Sequence, residues 1–352
     1  MANIIIFKGL RLYLRKKIKQ LSIWYIERYG YSVINSRYLY PWQRFISFDS
    51  SYNKESYLPE NAFKYLKRSN PRLKELKQGY LDFTQKKQEK DLWLDGYVKD
   101  EHLLYFRGDN PYVWQKRGFD LNIMAYAMTY FWIKNNDKNN FLYNCIEDDS
   151  FGVQAFNFDG NIISRDLLDS INEIKFLTKY VFLKENKKIN ILDIGSGYGR
   201  LAHRMSEAVP SVDNYYCTDG IAESTFISEY YIKYRNLGKL VTVIPLHQFE
   251  TIIEDLTLDL VINIHSFSEM NISFIKYWIG QISKKKIKYL FIVPNAKDNK
   301  GNKLISYDEK DFQSLIEQSG YKLVVKKPKY SEPVIQQYGI SPTYYYLFKF
   351  IT

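Results

Sequence analysis

The sequence predicts an α/β protein in two parts, a mainly helical N-terminal region and a C-terminal half built on a seven-stranded sheet. Three observations carry this reading. From residue 189 onward, seven short apolar runs rich in β-branched and aromatic residues follow one another: INILDI (189–194), NYYCTD (214–219), KLVTVIPL (239–246), LDLVINI (258–264), IKYLFIVP (287–294), YKLVVKK (321–327) and TYYYLFKF (343–350). Such runs, bounded by turn residues, read as strands. Helical patterns fall between them at about 222–236, 271–284 and 308–318, the alternation that builds a sheet covered by helices. No long helical pattern separates the last two runs, so they are expected to pair as an antiparallel hairpin at the sheet edge.

Size and composition agree with this. At 352 residues and 42.0 kDa the chain is long enough for about two domains. Its 45% hydrophobic and 25% charged residues are those of a globular protein with a sizeable core, which excludes collagen-like and disordered classes. Two cysteines, Cys145 and Cys217, make neither a disulfide framework nor a Cys-rich zinc site. No secretory signal pattern and no run of roughly 18 uncharged apolar residues is present, so a cytoplasmic protein is expected. Three segments are expected: a basic N-terminal piece (1–48), a helical cap (49–160) and the sheet domain (161–352).

The net charge of +11 sits mostly at the N-terminus, where residues 1–48 hold nine Lys or Arg against one acidic residue. A duplex-binding protein carries a basic stripe over its working face, so no nucleic-acid partner is expected. Residues 8–29 place Leu10, Leu14, Ile18, Leu21 and Tyr25 at helical spacing, with Lys8, Arg11, Arg15, Lys16, Lys17 and Lys19 crowding the first turns. A basic amphipathic helix of this kind lies on an anionic membrane surface, or docks on its own core with the charges solvated. Aromatic residues make up 17% of the chain, which supplies stacking surface or simply reflects an AT-rich coding sequence.

In the N-terminal region, 58–80 reads as two helices separated at Asn70 and Pro71. The stretch YFRGDNPYVWQKR (105–117) gathers Arg107, Asp109, Tyr112, Trp114 and Gln115. A guanidinium, a carboxylate and an indole on one loop suit a polyol, through bidentate hydrogen bonds and face stacking; an Arg–Asp pair stapling a loop is the plainer reading. In ISRDLLDSINEIKFL (163–177), Ser164 is placed to cap a helix whose buried face is Leu167, Leu168, Ile171, Ile174 and Phe176, leaving Arg165 at its start.

The chemistry is signalled where the first strand runs into GSGYGRLAHRM. Gly195 permits a tight turn, Gly197 lets a ligand approach the backbone, and Gly199 allows close packing at the start of the next helix. A dinucleotide G-x-G-x-x-G would need glycine where Arg200 stands, which disfavours NAD. The next strand run ends in Asp219, 26 residues beyond Asp193, close to the ~20 of a ribose-binding acid. Open α/β sheets bind ligands at the carboxyl ends of their strands, so the exit of the fourth strand, NIHSFSEM, is the place to seek catalysis. There His265 and Glu269 are candidates for proton transfer, Ser266 and, after the fifth strand, Asn295 for substrate contact. His247 and Gln248 follow the third strand. No compact metal-ligand cluster is seen. The exit also lacks the [DN]-P-P-[YFW] tetrapeptide of base-amine methylation.

The D-x-G-x-G loop after a first strand resembles motif I of class I S-adenosylmethionine-dependent methyltransferases, which have a Rossmann-like seven-stranded sheet. The runs YFRGDNPYVWQ, SRDLLDSINEIKFL, DIGSGYGRL, TDGIAESTFISEYYI and NIHSFSEM, spread over about residues 55–300, resemble bacterial sugar O-methyltransferases associated with surface-polysaccharide biosynthesis. The resemblance implies S-adenosylmethionine as cofactor, with contacts from Asp193, Gly195, Ser196, Gly197, Tyr198, Gly199, Asp219, Gly220, His247, Gln248 and Asn263. It implies a sugar or glycan acceptor held by Arg107, Asp109, Tyr112, Trp114, Gln115, Arg165, Ser266 and Asn295. An RNA ribose 2′-O-methyltransferase and a catalytically inactive cofactor-binding scaffold of glycan assembly remain the alternatives.

Overall fold

The computed structural model describes residues 14–15, 17–26, 28–29, 45–47, 53–87, 98–108, 120–296 and 299–351. The chain divides into two units, residues 1–45 and 46–352. In the first, residues 14, 15 and 17–26 are helical, as the periodicity predicts. Leu14, Ile18, Leu21, Tyr25 and Tyr29, spaced three or four apart, are each at least half exposed.

The second unit is built on a seven-stranded sheet. Its strands are β1 (Ile189–Ile194), β2 (Val212–Thr218), β3 (Val241–Val243), β4 (Leu260–Ile264), β5 (Tyr289–Val293), β6 (Tyr321–Pro328) and β7 (Tyr344–Phe350). In space they run 6-7-5-4-1-2-3. Strands β1 to β5 pair parallel, while β7 pairs antiparallel with both β5 and β6. All seven expected strands are present and the closing hairpin is where it was expected. The β1–β4 pairing is the point where the strand order reverses, the crevice that binds ligands in doubly wound sheets. The β6 edge is protected by Lys322, Lys326 and Lys327 and by a register shift between Leu323 and Val325.

The helices are α1 (Pro71–Lys87), α2 (Ile123–Asn136), α3 (Arg165–Leu177), α4 (Arg200–Ala208), α5 (Ala222–Tyr234), α6 (Leu246–Asp255), α7 (Ile272–Lys284), α8 (Gln313–Gln318) and α9 (Pro333–Tyr338), with shorter turns between. Pro71 starts α1 and Ser164 caps α3, its hydroxyl accepting from Leu167 N at 3.1 Å. One departure is α6. The apolar run read as a strand to residue 246 pairs only over Val241–Val243, and Pro245, with its fixed φ of −60°, turns the chain into a helix.

Residues 46–352 form one compact unit, with no division at 160/161. The physical reason is shared core. On one face of the sheet, Leu73, Leu76, Tyr80, Leu103 and Phe106 from the N-terminal region pack with Tyr198, Phe226, Tyr231 and Leu246. On the other, Tyr126, Tyr130, Ile133 and Phe141 pack with Leu168, Ile171, Leu201 and Tyr215. Much of the aromatic excess is consumed here: Phe106 stacks on Phe151 at 4.7 Å and meets Tyr198 and Tyr231 at 5.2 and 5.6 Å.

Helix α3 is buried on nearly every side, although it carries Asp166, Asp169 and Glu173. Buried charge is tolerated only when paired, and each acid has a partner. Asp166 accepts from Tyr198 Oη at 3.0 Å, Asp169 from Lys329 Nζ at 2.5 Å, and Glu173 takes Arg200 bidentately at 2.9 and 3.2 Å. A second lattice lies beside it. The fully buried Arg107 donates to Glu147 at 2.6 Å, Asp148 at 2.8 Å and Tyr198 Oη at 3.3 Å. Glu147 also accepts from Arg204 at 3.3 Å and from Ser164 Oγ.

Burial alone would raise the Glu147 carboxyl, but Arg107, Arg204 and Ser164 outweigh it and hold it down to about 2. Because its folded value is depressed, the stabilisation is complete above about pH 4.5 and is lost only as the pH falls toward 2. Replacing Glu147→Gln at pH 7 leaves two buried guanidinium groups short of charge. Urea denaturation is expected to show a loss of about 3–5 kcal/mol; a loss below about 1 kcal/mol would show that the lattice does not hold the helical region to the glycine loop.

Candidate active site

The site is built at the carboxyl ends of β1, β2, β4 and β5. Strand β1 delivers Asp193 and Ile194 into the glycine loop, where Gly195, Gly197 and Gly199 have φ of 78°, 58° and 88°. These left-handed values favour glycine. A Cβ on Gly195 would lie 2.2 Å from Ser266 Oγ, so the loop and the β4 exit approach as closely as a bare backbone permits. The loop amides turn toward β2: Gly195 N and Ser196 N donate to Thr218 O at 2.8 and 3.2 Å, and Gly197 N donates to Asp219 Oδ2 at 2.9 Å. Asp219 Oδ1 accepts from Ile221 N at 2.9 Å. Beside it, Gly220 has nothing within 4 Å of where a Cβ would stand.

Both carboxylates of the motif are buried. Asp193 accepts from Tyr215 Oη at 2.7 Å. Burial pushes its carboxyl up to about 7 against that hydrogen bond, and burial does the same for Asp219 against its two backbone donors. The two acids therefore titrate in the physiological range. Ser224 also hydrogen-bonds the Asp219 carboxylate; a carboxylate offers about four acceptor positions, so Asp219 keeps room for about one more donor.

At the β4 exit, Asn263 is fully buried. Its Nδ2 donates to Ile194 O at 2.9 Å and Ser266 Oγ at 2.6 Å, and its Oδ1 accepts from Phe267 N at 3.0 Å. Ser266 Oγ in turn donates to Ile194 O at 3.2 Å. Asn263 and Ser266 thus clamp the β4 exit to the end of β1, with every side-chain polar atom engaged and one acceptor lone pair left on Asn263 Oδ1 and on Ser266 Oγ. His265 has φ of 68° and its N donates to Val293 O at 2.7 Å. Its half-buried ring leaves Nδ1 without a hydrogen-bond partner, and burial lowers its pKa to about 3, reinforced by Lys329, Arg165 and Arg200 against Asp169. Desolvation thus keeps the imidazole uncharged near neutral pH. Glu269 accepts from Asn295 Nδ2 at 3.2 Å, while Asn295 N donates to Ser268 Oγ at 3.2 Å and Asn295 Oδ1 is buried without a partner.

Other expectations are also revised. Arg107 is an internal charge whose donors face Glu147, Asp148, Ser150 and Tyr198, so it does not reach a substrate. The Tyr198 side chain points into the core between Phe106 and Tyr231, leaving only its backbone to the loop. Arg165 lies beside Asp166 at 3.4 Å. His247 sits in the first turn of α6 beneath Gly79 of α1, and Gln248 is exposed. Asp109, Tyr112, Trp114 and Gln115 lie outside the described residues. Sequence reasoning missed Tyr215, which faces Asp193 from the neighbouring strand, and Tyr80 of α1, whose hydroxyl reaches the Asp219 backbone at 3.1 Å. The first was signalled by a tyrosine at an inward position of β2; the second had no local signal. Among the described residues, no group of three or more His, Cys, Asp or Glu is placed to hold a metal ion.

No protein-family model matches the chain, and no curated protein matches it in sequence. Solved structures similar to it include a SAM-dependent methyltransferase from Aquifex aeolicus (15% identity, TM-score 0.39, 51% of this chain and 89% of that one). Others are the magnesium protoporphyrin IX methyltransferase of Synechocystis PCC 6803 (12%, 0.39, 64% and 97%) and the mitomycin 7-O-methyltransferase MmcR (15%, 0.39, 53% and 55%). At these identities and scores the similarities carry nothing about substrate, and the Rossmann-like fold stands on the strand order and register given above.

The raised Asp219 carboxyl has a measurable consequence. A folded-state pKa above the unfolded one means that stability is lost as the pH rises from about 4 through about 7. Asp219→Asn removes that buried charge but turns an NH2 donor toward one of the two backbone N–H groups, so without ligand its melting temperature is expected below that of the unsubstituted protein at pH 5, with the gap narrowing toward pH 8. A gap that widens toward pH 8 would mean the carboxylate is stabilised, not strained, by its surroundings.

Proposed function

We propose that the chain is an S-adenosylmethionine-dependent O-methyltransferase acting on a sugar hydroxyl of a surface-polysaccharide glycan or its precursor. The observation that supports the cofactor part of this reading is the bridge between Gly197 N–H and the Asp219 carboxylate, which joins the glycine loop after β1 to an acid after β2, beside the β1–β4 switch point. The residues present fit the cofactor. Asp219 retains acceptor capacity for a ribose hydroxyl, the space beside Gly220 is open, and His265 Nδ1 and Asn295 Oδ1 are buried polar atoms lacking partners at the same strand ends. Asp219 would hold the ribose, Asp193 the amino group, and the glycine loop the methionine chain. The antiparallel β7 between β5 and β6 departs from the 3-2-1-4-5-6 sheet of dinucleotide enzymes.

The bound sulfonium supplies an electrophilic methyl group for in-line displacement. The protein's part is to align the acceptor and take its proton, since a neutral hydroxyl is a poor nucleophile. In this reading Glu269, which accepts from Asn295 Nδ2 at the β4 and β5 exits, takes that proton. The sugar acceptor is supported by the five sequence runs that resemble sugar O-methyltransferases. An anionic membrane contact through residues 8–29 suits a lipid-linked acceptor: Trp24, Tyr25 and Tyr29 are exposed aromatics at an interfacial helix rimmed by Arg15, Lys17, Lys19 and Arg28.

Calorimetry with S-adenosylmethionine tests the reading. Binding is expected for the unsubstituted protein, at least tenfold weaker binding for Asp219→Ala, and proton release at pH 6.5 that vanishes at pH 8.5 as both acids ionise. Unchanged affinity in the variant would remove the ribose assignment. In vesicle flotation, the full chain is expected to float with anionic but not zwitterionic vesicles and to lose this on deletion of residues 1–29; persistent flotation would refute the membrane contact.

A further inference from the structure

Helix α1 precedes the sheet by a hundred residues and belongs to no expected part of the cofactor crevice, yet it is seated on it. Where Gly79 passes α6, a Cβ would lie 2.7 Å from the His247 ring, so the helix backbone itself rests on the imidazole. Next to it, the buried Tyr80 hydroxyl is a three-way junction. It donates to Asp219 O at 3.1 Å, accepts from Leu246 N at 3.0 Å, and shares a 2.6 Å hydrogen bond with Thr225 Oγ1. A phenol has one proton and two lone pairs, so with the proton on the Asp219 carbonyl, Thr225 donates and the group is saturated. One oxygen therefore ties together the exit of β2, the first turn of α6 after β3, and the first turn of α5. The open space beside Gly220 lies next to that junction.

We infer that α1 is a wall of the cofactor crevice and that Tyr80 is a positioning residue for its nucleoside end, fixing the Asp219 and Leu246 backbones relative to one another. This rests on the reading under Proposed function. The helix has anchors that do not involve Tyr80: Arg72 grips Glu229 bidentately at 3.0 and 2.7 Å, Lys77 pairs with Glu223 at 2.7 Å, and the Phe83 ring meets Tyr277 at 6.0 Å. Loss of the hydroxyl alone thus leaves α1 in place while the buried Leu246 N–H and Thr225 hydroxyl lose their acceptor. The consequence falls on the spacing of the two exits, and so on nucleoside binding.

The test is calorimetric titration of Tyr80→Phe with S-adenosylmethionine and S-adenosylhomocysteine, beside Ile133→Val, a variant in the core on the other face of the sheet, as a control for general destabilisation. The expected result is a dissociation constant raised about tenfold for both ligands in Tyr80→Phe, the scale of one buried donor left unpaired, with Ile133→Val unchanged. Faster hydrogen exchange at the Leu246 amide in Tyr80→Phe is the accompanying expectation. Equal affinity in Tyr80→Phe, or an equal loss in Ile133→Val, overturns the positioning role while the cofactor reading stands. Failure of the unsubstituted protein to bind either ligand overturns both.

Discussion

One carboxylate organises this molecule's working end. Asp219 stands just past β2, buried, with one oxygen receiving the amide of Gly197 from the neighbouring loop and the other the amide at the start of α5. That bridge joins the Gly195 and Ser196 amides, which both donate to Thr218 O, in fixing the glycine loop after β1 against the β2 exit, beside the crevice at the sheet's switch point. The arrangement is costly, because burial raises both Asp219 and Asp193 to about 7. A cationic ligand with a diol relieves that cost, which links the electrostatics of the free protein to the ligand it is proposed to bind.

The surroundings of the loop tie it to the helical region. Tyr198 lies within the glycine motif, yet its hydroxyl bonds Asp166 of α3 and receives Arg107, whose other partners are Glu147 and Asp148. Arg200, the residue that breaks a dinucleotide fingerprint, is held by Glu173 and Ser170 of α3. The loop is thus set from beneath by paired charges of residues 107–173 and from the side by Asn263 and Ser266. Buried ion pairs add little net stability compared with apolar packing; their effect here is to fix the orientation of one loop, at the cost of requiring every member to be present.

Much of this was legible in the sequence, for reasons that differ by element. The strands of a mostly parallel sheet are buried on both faces and read as continuous apolar runs, which is why β1 and β4 to β7 fall within two residues of their expected limits. The glycines of the loop announce their backbone conformation directly. Helix α6 was missed because its first residues, Leu246 and His247, continue the apolar run of β3 and only Pro245 marks the turn. Arg107 was misassigned because its partners stand about forty residues downstream, so the local Arg-Gly-Asp spacing suggested a loop contact instead. Asn263 and Ser266 lie where ligand-binding groups belong, and only the hydrogen-bond count shows that their polar atoms are already engaged. Tyr80 illustrates the limit most plainly: nothing in KELKQGYLDF distinguishes a core tyrosine from one that joins three segments far apart in the chain.

The most direct test of the account is a crystal structure of the protein with S-adenosylhomocysteine. The ribose hydroxyls are expected within hydrogen-bonding distance of the Asp219 carboxylate, with the amino-acid end against residues 195–199 and the sulfur facing Glu269 across the β4 exit. A nucleoside bound at another place on the surface, or a crevice between β1 and β4 that stays filled by side chains, would contradict it.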